Sequence, residues 1–355
     1  MEPPDRERGA KSGVTSGVAR TPLVSIGVPV YNGSRFLREC LDSIFRQTYP
    51  NMEVVVCDNA SRDGTWEILA GISDPRLRAL RNDTNIGPFP NWNRCMTESR
   101  GEFVAVFHAD DVYEPDIVGE EVEFLLKQPE AGAVFTGAFL IDGEGNLTGR
   151  SSFPAPFRGG GLFRFAEVLR GMLRDGNFII CPTFMARASV LAKAGPFRPE
   201  RYGTASDAGM WFRILEHAPI GLIDRPLMRY RRGVHQGTFS IEAARTAPAD
   251  HFRVIDEFLS SPAAAGAVPP DLAQRHETAK LVDETRRLRT LVALGRVGEA
   301  RDLSRRIYTL EAARKYLYNG RRMRYLAKRL FYSFLLETGL GKFTGKVIRE
   351  WESRS

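Results

Sequence analysis

The feature that most restricts the fold is a repeated pairing: a short apolar run stops at a polar cluster, and helical spacing follows. Residues 23–30 stop at Tyr31-Asn32-Gly33, 53–57 at Asp58-Asn59-Ala60-Ser61, and 103–107 at His108-Ala109-Asp110-Asp111. A weaker run at 77–80 precedes Asn85-Ile86-Gly87, and one at 133–140 closes the series. Short runs that are continuously apolar read as strands buried on both faces. Between them, Phe36, Leu37, Cys40, Leu41, Ile44 and Phe45 recur at helical spacing behind Ser34, a candidate cap. Further helices are expected from Gly64-Thr65, over 91–99 and over 114–127. Strands alternating with helices predict an α/β fold: a Rossmann-like, mostly parallel sheet flanked by helices. Ligands bind such sheets beyond the carboxyl ends of the strands, where these polar clusters fall.

At 355 residues, 43% apolar and 26% charged, the chain has material for one large domain and a smaller appendix. Residues 1–21, polar and without an apolar stretch, are expected to be a disordered leader rather than a signal peptide. Residues 22–240 form the expected main domain, 241–270 an Ala- and Pro-rich linker with one short helix, and 271–355 a basic helical region. The net charge of +7 is uneven: 241–355 carries 22 Lys+Arg against 14 Asp+Glu, leaving 28 against 29 before it. The basic excess therefore belongs to the tail and argues against a nucleic-acid-binding main domain. From residue 321 the tail interleaves Arg and Lys with Leu, Phe and Tyr, a pattern that fits either a membrane surface or packing on its own domain. No segment approaches the ~18 apolar residues of a membrane span. Cys40, Cys57, Cys95 and Cys181 show no paired spacing, which suits reduced thiols and a cytoplasmic protein, at most peripheral on the inner membrane face.

Neither a Gly-rich dinucleotide fingerprint nor a Walker loop follows the first strand. A diphosphate would then need another partner, and a divalent cation held by carboxylates is the simple one. Asp110 is the candidate ligand, with Asp111 more apt to cap the helix near Glu114-Pro115. Asn32, Asp58 and Asn59 taken singly are ordinary turn residues; on successive strand ends they suggest nucleoside contacts.

The ordered set Pro29-Val30-Tyr31-Asn32, residues 54–65, Asn85-Ile86-Gly87 and His108-Ala109-Asp110-Asp111 resembles family 2 glycosyltransferases of GT-A fold, over about residues 22–240. The resemblance implies an inverting enzyme that transfers sugar from a nucleotide donor, a UDP-sugar favoured, to a glycan or lipid-linked acceptor, as in polysaccharide or glycolipid synthesis. It implies donor contacts from Pro29, Val30, Tyr31, Asn32, Asp58, Asn59, Asn85, Gly87, His108, Ala109, Asp110 and Arg231, and Mn²⁺ or Mg²⁺ at Asp110. The family's metal motif often begins with Asp, where this chain has His108.

Downstream, the Gly-, Pro- and Phe-rich stretch 151–162 is expected to form an acceptor-side loop. Trp211, Ile214 and Leu215 mark a helix that begins at Ser206 or Asp207. Asp is a favoured cap there, but the resemblance makes Asp207 the catalytic base, with Ser206 where the family often has Glu. It also places Arg231 near the diphosphate and His235 near the metal. A sugar-phosphate nucleotidyltransferase would need a basic, Gly-rich loop after the first strand. A non-catalytic relic that still binds nucleotide sugar is favoured mainly by His108, while Asp110 and Asp207 both remain.

Overall fold

The computed structural model describes residues 21–233 and 245–305, together with 330–332, 334, 336 and 337. In chain order, β1 (Val24–Val30) leads to α1 (Leu37–Phe45), β2 (Met52–Asp58) to α2 (Thr65–Ala70), and β3 (Leu77–Arg81) to α3 (Pro88–Glu98). Next come β4 (Phe103–Val106), β5 (Val112–Tyr113), α4 (Ile117–Lys127), β6 (Ala133–Ile141) and β7 (Leu147–Arg150). The later elements are β8 (Gly161–Phe163), α5 (Phe165–Asp175), β9 (Phe184–Arg187), α6 (Ala188–Ala194), α7 (Pro199–Tyr202), α8 (Ser206–Leu215) and β10 (Ile220–Arg231). Helices α9 (Asp250–Leu259), α10 (Pro270–Ala293) and α11 (Val297–Arg305) follow.

The sheet runs β3-β2-β1-β4-β9-β6-β10-β5, with β7 on β6 and β8 on β10. Strands β3, β2, β1 and β4 are mutually parallel, and β10 is parallel to β6. Antiparallel β9 lies between β4 and β6, so β6 and β10 point the same way as β1. The carboxyl ends of β1, β2, β3, β4, β6 and β10 therefore share one edge. Chain order reverses around β1, where a crevice opens beyond the strand ends. The sheet is α/β and mixed, mostly parallel. Its antiparallel members are short or lie in the irregular stretch after β6, where continuous apolar patterning is missing.

The first core joins one face of β1 and β2 to α1 and α4; Val24, Ile26, Val54, Val56, Leu41 and Ile117 have no exposed surface. Helix α3 sits close on β1, because a side chain at Gly27 would meet the Cys95 Cβ at 2.8 Å. Ser34 is not the cap of α1: Phe36 takes that position, and the Ser34 N–H instead donates to Asp63 Oδ2 at 3.0 Å. The Ser34 hydroxyl also bonds Asp63, so the β2 turn takes the group that would have capped the helix. The described cysteines are free thiols, with Cys40, Cys57 and Cys95 buried.

A second core gathers α5, α8, β6, β9 and β10 around Trp211, whose ring lies 4.7 Å from both Phe135 and Phe184. Residues expected to be a linker join this core: Val254, Ile255 and Phe258 of α9 are buried, and Phe258 stacks on Phe212 at 4.8 Å. The reason is an amphipathic pattern within the Ala/Pro-rich stretch. Asp256 then ties α9 to α10 through His276 at 2.8 Å and Lys280 at 2.6 Å. Trp211→Ala should cost about 3–5 kcal/mol, since a large buried aromatic leaves a cavity the neighbours cannot fill. Urea unfolding checks this; a loss below about 1 kcal/mol would contradict the packing.

Candidate active site

At the end of β1, Asn32 adopts a left-handed φ of 49°, which Asn tolerates better than most residues. Its N–H donates to Ser61 Oγ at 2.8 Å, and its Oδ1 accepts the Arg62 N–H at 3.0 Å. The turns after β1 and β2 are thereby sewn together, and Tyr31 is left 49% exposed above them. Asp58 is fully buried; Oδ1 accepts the Ser61 N–H at 3.1 Å and Oδ2 pairs with Arg81 Nε at 3.1 Å. Asn59 is also committed: Nδ2 donates to Asn85 Oδ1 and Gly87 O, while Oδ1 accepts from Asn82 Nδ2 and the Ile86 N–H. Asn85 Oδ1 further accepts the Gly87 N–H at 2.9 Å. Asn59 and Asn85 thus shape the site's wall with their side chains. A cavity of about 430 Å³ opens there, lined among others by Tyr31, Ser61, Arg62, Arg81 and Asn85.

A second cavity of about 490 Å³ lies beside it, between Pro29–Asn32, Phe36, Trp92 and the His108–Asp110 turn. The His108 N–H donates to the Tyr113 hydroxyl at 2.7 Å, and the ring lies 4.8 Å from that of Trp92. Burial lowers the His108 pKa, with nearby Asp110 opposing, so the imidazole is neutral at neutral pH. The acidic pair divides its work. Asp110 lines the cavity, whereas Asp111 is buried and Oδ1 accepts the Arg231 N–H at 2.8 Å. Burial, then Asp110, pushes the Asp111 pKa well up, against the pull of Arg231. Asp111 does not cap α4, which begins three residues past Glu114 with Asp116 at the cap; Asp111 anchors the last strand instead.

Arg231, expected at the diphosphate, is occupied within the protein. Its Nε donates to Asp110 O at 2.8 Å, Nη1 to Asp142 O at 3.2 Å, and Nη2 to Glu39 at 2.7 Å. The guanidinium also stacks over Phe36 at 4.2 Å. Arg231 holds the Asp110 turn in place. His235 lies outside the described residues.

Ligand atoms of His108, Asp110 and Asp111 lie within 4.8 Å of one another. His108 Nε2 and Asp111 Oδ2 are buried without a hydrogen-bond partner. Unpaired buried acceptors are costly, and a cation between them would satisfy both. The residues fit a divalent ion with mixed nitrogen and oxygen donors.

Asp207 is not the cap of α8. Ala205 holds that position, and Asp207 sits in the first turn with Oδ1 accepting the Ala208 N–H at 2.7 Å. Burial raises its pKa to about 6, partly offset by the N–H groups of Ala208 and of Asp207 itself. A carboxyl titrating near neutrality is suited to accept a proton. It opens onto a cavity of about 560 Å³ between α5, α8, α9 and α10. Cys181 links the two regions: Asp207 and Asp111 both raise its thiol pKa, after burial. Rings connect them too, from His108 through Trp92 and Phe197 (5.3 Å) to Trp211 (6.3 Å). Sequence reasoning missed Arg81, Trp92 and the α9–α10 wall of this cavity. A cation ending the weak third strand was the one available sign of Arg81.

A model of "Glycosyl transferase family 2" matches residues 25–194. The chondroitin synthase of Escherichia coli is 31% identical over 244 residues, 68% of this chain and 33% of that protein. EpsE of Bacillus subtilis is 31% identical over 202 residues, covering 55% of this chain and 67% of EpsE. The chain belongs to glycosyl transferase family 2. It spans about a third of the E. coli relative and of a Rickettsia felis glycosyltransferase. Among solved structures, S. aureus TarS 1–349 in complex with UDP-GlcNAc aligns with TM-score 0.59 at 18% identity, covering 89% of this chain and 91% of that one. Mannosyltransferase PcManGT from Pyrobaculum calidifontis, in complex with GDP-Man and Mn²⁺, aligns at 0.53 and 19%, covering 94% and 88%. These likenesses establish a GT-A-like fold for this family 2 chain. Asp207 lies beyond the span the family model matches.

Proposed function

We propose that this chain is a metal-dependent, inverting glycosyltransferase that moves a sugar from a nucleoside diphosphate donor to an acceptor hydroxyl. The observation that carries the reading is the presence of two cavities, one lined by Pro29–Asn32 and Asp110 and one lined by Asp207. Tyr31 and Arg81 face the nucleoside, on a floor set by Asp58 and walls set by Asn59, Asn85 and Gly87. Pro29, Val30, Asn32 and Ala109 shape the donor cleft. Asp110, with His108 beside it, holds Mn²⁺ or Mg²⁺, and His235 is a further candidate ligand. When bound, such a cation supplies charge stabilisation to the departing diphosphate. Asp207 takes the acceptor's proton, and inversion needs no enzyme nucleophile. The family 2 relatives and the neighbour holding UDP-GlcNAc support a UDP-sugar donor and a glycan or lipid-linked acceptor in polysaccharide synthesis.

A screen of UDP-, GDP- and dTDP-sugars for Mn²⁺-dependent hydrolysis tests the reading. Release of UDP from at least one sugar is expected; no release from any donor would overturn it.

Among the described residues no helix is long and apolar enough to cross a membrane. Near the C-terminus, Tyr332 and Leu336 pack toward Leu288 and Leu291, whereas Leu330 and Phe331 are 50% and 55% exposed. With the basic residues from Arg321 onward, this favours association with anionic lipid. The full chain should sediment with phosphatidylglycerol vesicles and detach at high salt, while a chain ending before Arg321 stays in solution with donor hydrolysis intact. Equal sedimentation of the two would contradict this role.

A further inference from the structure

We infer that His108 is a direct metal ligand that makes this site select a transition ion, Mn²⁺ or Co²⁺, over Mg²⁺. The inference rests on the metal-dependent reading above but concerns which ion is held and by which atom.

His108 is fixed by the protein rather than left to find its own place. Its N–H donates to Tyr113, its carbonyl accepts from the Cys40 thiol at 3.3 Å, and its ring lies against Trp92. That packing leaves Nε2 buried with no hydrogen-bond partner, and a ring nitrogen of His108 lies within 4.8 Å of ligand atoms on Asp110 and Asp111. A buried nitrogen with no donor to meet is an expensive arrangement unless something occupies it. Water would need two or more partners, whereas a cation needs only the lone pairs already converging. The unpartnered Asp111 Oδ2 is the second such lone acceptor in the cluster.

The donor chemistry sets the selectivity. Mg²⁺ prefers oxygen ligands and near-ideal octahedral geometry. Imidazole suits later first-row ions, and affinity at nitrogen sites rises along that row. An all-carboxylate turn would treat Mg²⁺ and Mn²⁺ more alike. One imidazole shifts the balance toward Mn²⁺ and Co²⁺.

The test uses the full chain and the metals alone, without donor. Calorimetric titration should show Mn²⁺ bound at least about tenfold more tightly than Mg²⁺. Pulsed EPR of the Mn²⁺ form should show ¹⁴N coupling from a coordinated imidazole. Made in a His235→Ala background, His108→Asp should abolish that coupling and narrow the Mn²⁺/Mg²⁺ ratio at least severalfold, while His217→Ala, past the end of α8, keeps both. Circular dichroism verifies that each variant is folded. Absence of ¹⁴N coupling in the parent, or its survival in folded His108→Asp, overturns the assignment, as does an equal preference for the two ions. The outcomes separate from the enzymatic reading. Nucleotide-sugar hydrolysis without ¹⁴N coupling sinks this inference alone; ¹⁴N coupling lost in His108→Asp without hydrolysis of any nucleotide sugar sinks the enzyme reading alone.

Discussion

Asp207→Asn should slow sugar transfer by a factor on the order of 10²–10⁴ while leaving nucleotide affinity unchanged. The amide keeps the shape of the side chain and the acceptor for the Ala208 N–H, and removes only the basicity. In the parent, transfer should rise with pH through an apparent pKa of about 6, because the deprotonated carboxylate is the active form. That limb should vanish in the variant. Stability gives an independent readout with its own sign. A carboxyl whose folded pKa is raised binds its proton more tightly folded than unfolded, so stability is greatest below the unfolded value and falls as pH rises toward about 6. The total at neutral pH is on the order of 1–3 kcal/mol. Asp207→Asn should therefore match the parent near pH 4 and exceed its thermal midpoint at pH 8. A variant that is less stable at pH 8 and transfers sugar at near-parental rate would mark Asp207 as a purely structural helix-start residue.

The strands that position the site were legible because burial on both faces forces continuous apolar runs, as in 23–30, 53–57 and 103–107. Their carboxyl ends carry the polar clusters, which is why Tyr31, Asp58 and Asp110 stand out in the sequence alone. The roles within those clusters were less legible. Sequence could not show that Asp111 turns inward to the Arg231 N–H, because that partner is 120 positions away. For the same reason Arg231, read as a diphosphate contact, proved to be committed to Asp110, Asp142 and Glu39. Asn59 satisfies both sides of its amide through residues 82–87, a closure that depends on β3 pairing with β2. The acceptor side was hardest. Its wall is built by α9 and α10, and the Ala- and Pro-rich composition around α9 suggested a linker with one short helix rather than a helix whose apolar face completes the second core.

Asp110→Ala should abolish most Mn²⁺-dependent donor hydrolysis, on the order of a hundredfold or more, with little change in stability. The rate term follows from the several kcal/mol a cation supplies to a departing diphosphate, at about 1.4 kcal/mol per tenfold. The stability term follows from geometry, since the backbone carbonyl of Asp110, not its carboxylate, receives Arg231 Nε. Removing the carboxylate also relieves the like charge that helps raise the Asp111 pKa. Asp111→Ala is the matched control. It leaves the buried Arg231 N–H without its acceptor, which should cost about 1–3 kcal/mol of stability. UDP titrated calorimetrically into each variant, with and without Mn²⁺, separates the two roles. For Asp110→Ala, the gain in UDP affinity that Mn²⁺ brings to the parent should fall to near zero, and excess Mn²⁺ should restore it only in part. A folded Asp110→Ala chain with parental Mn²⁺-dependent UDP affinity would remove Asp110 from the metal and leave the cleft at the end of β4 without its proposed charge centre.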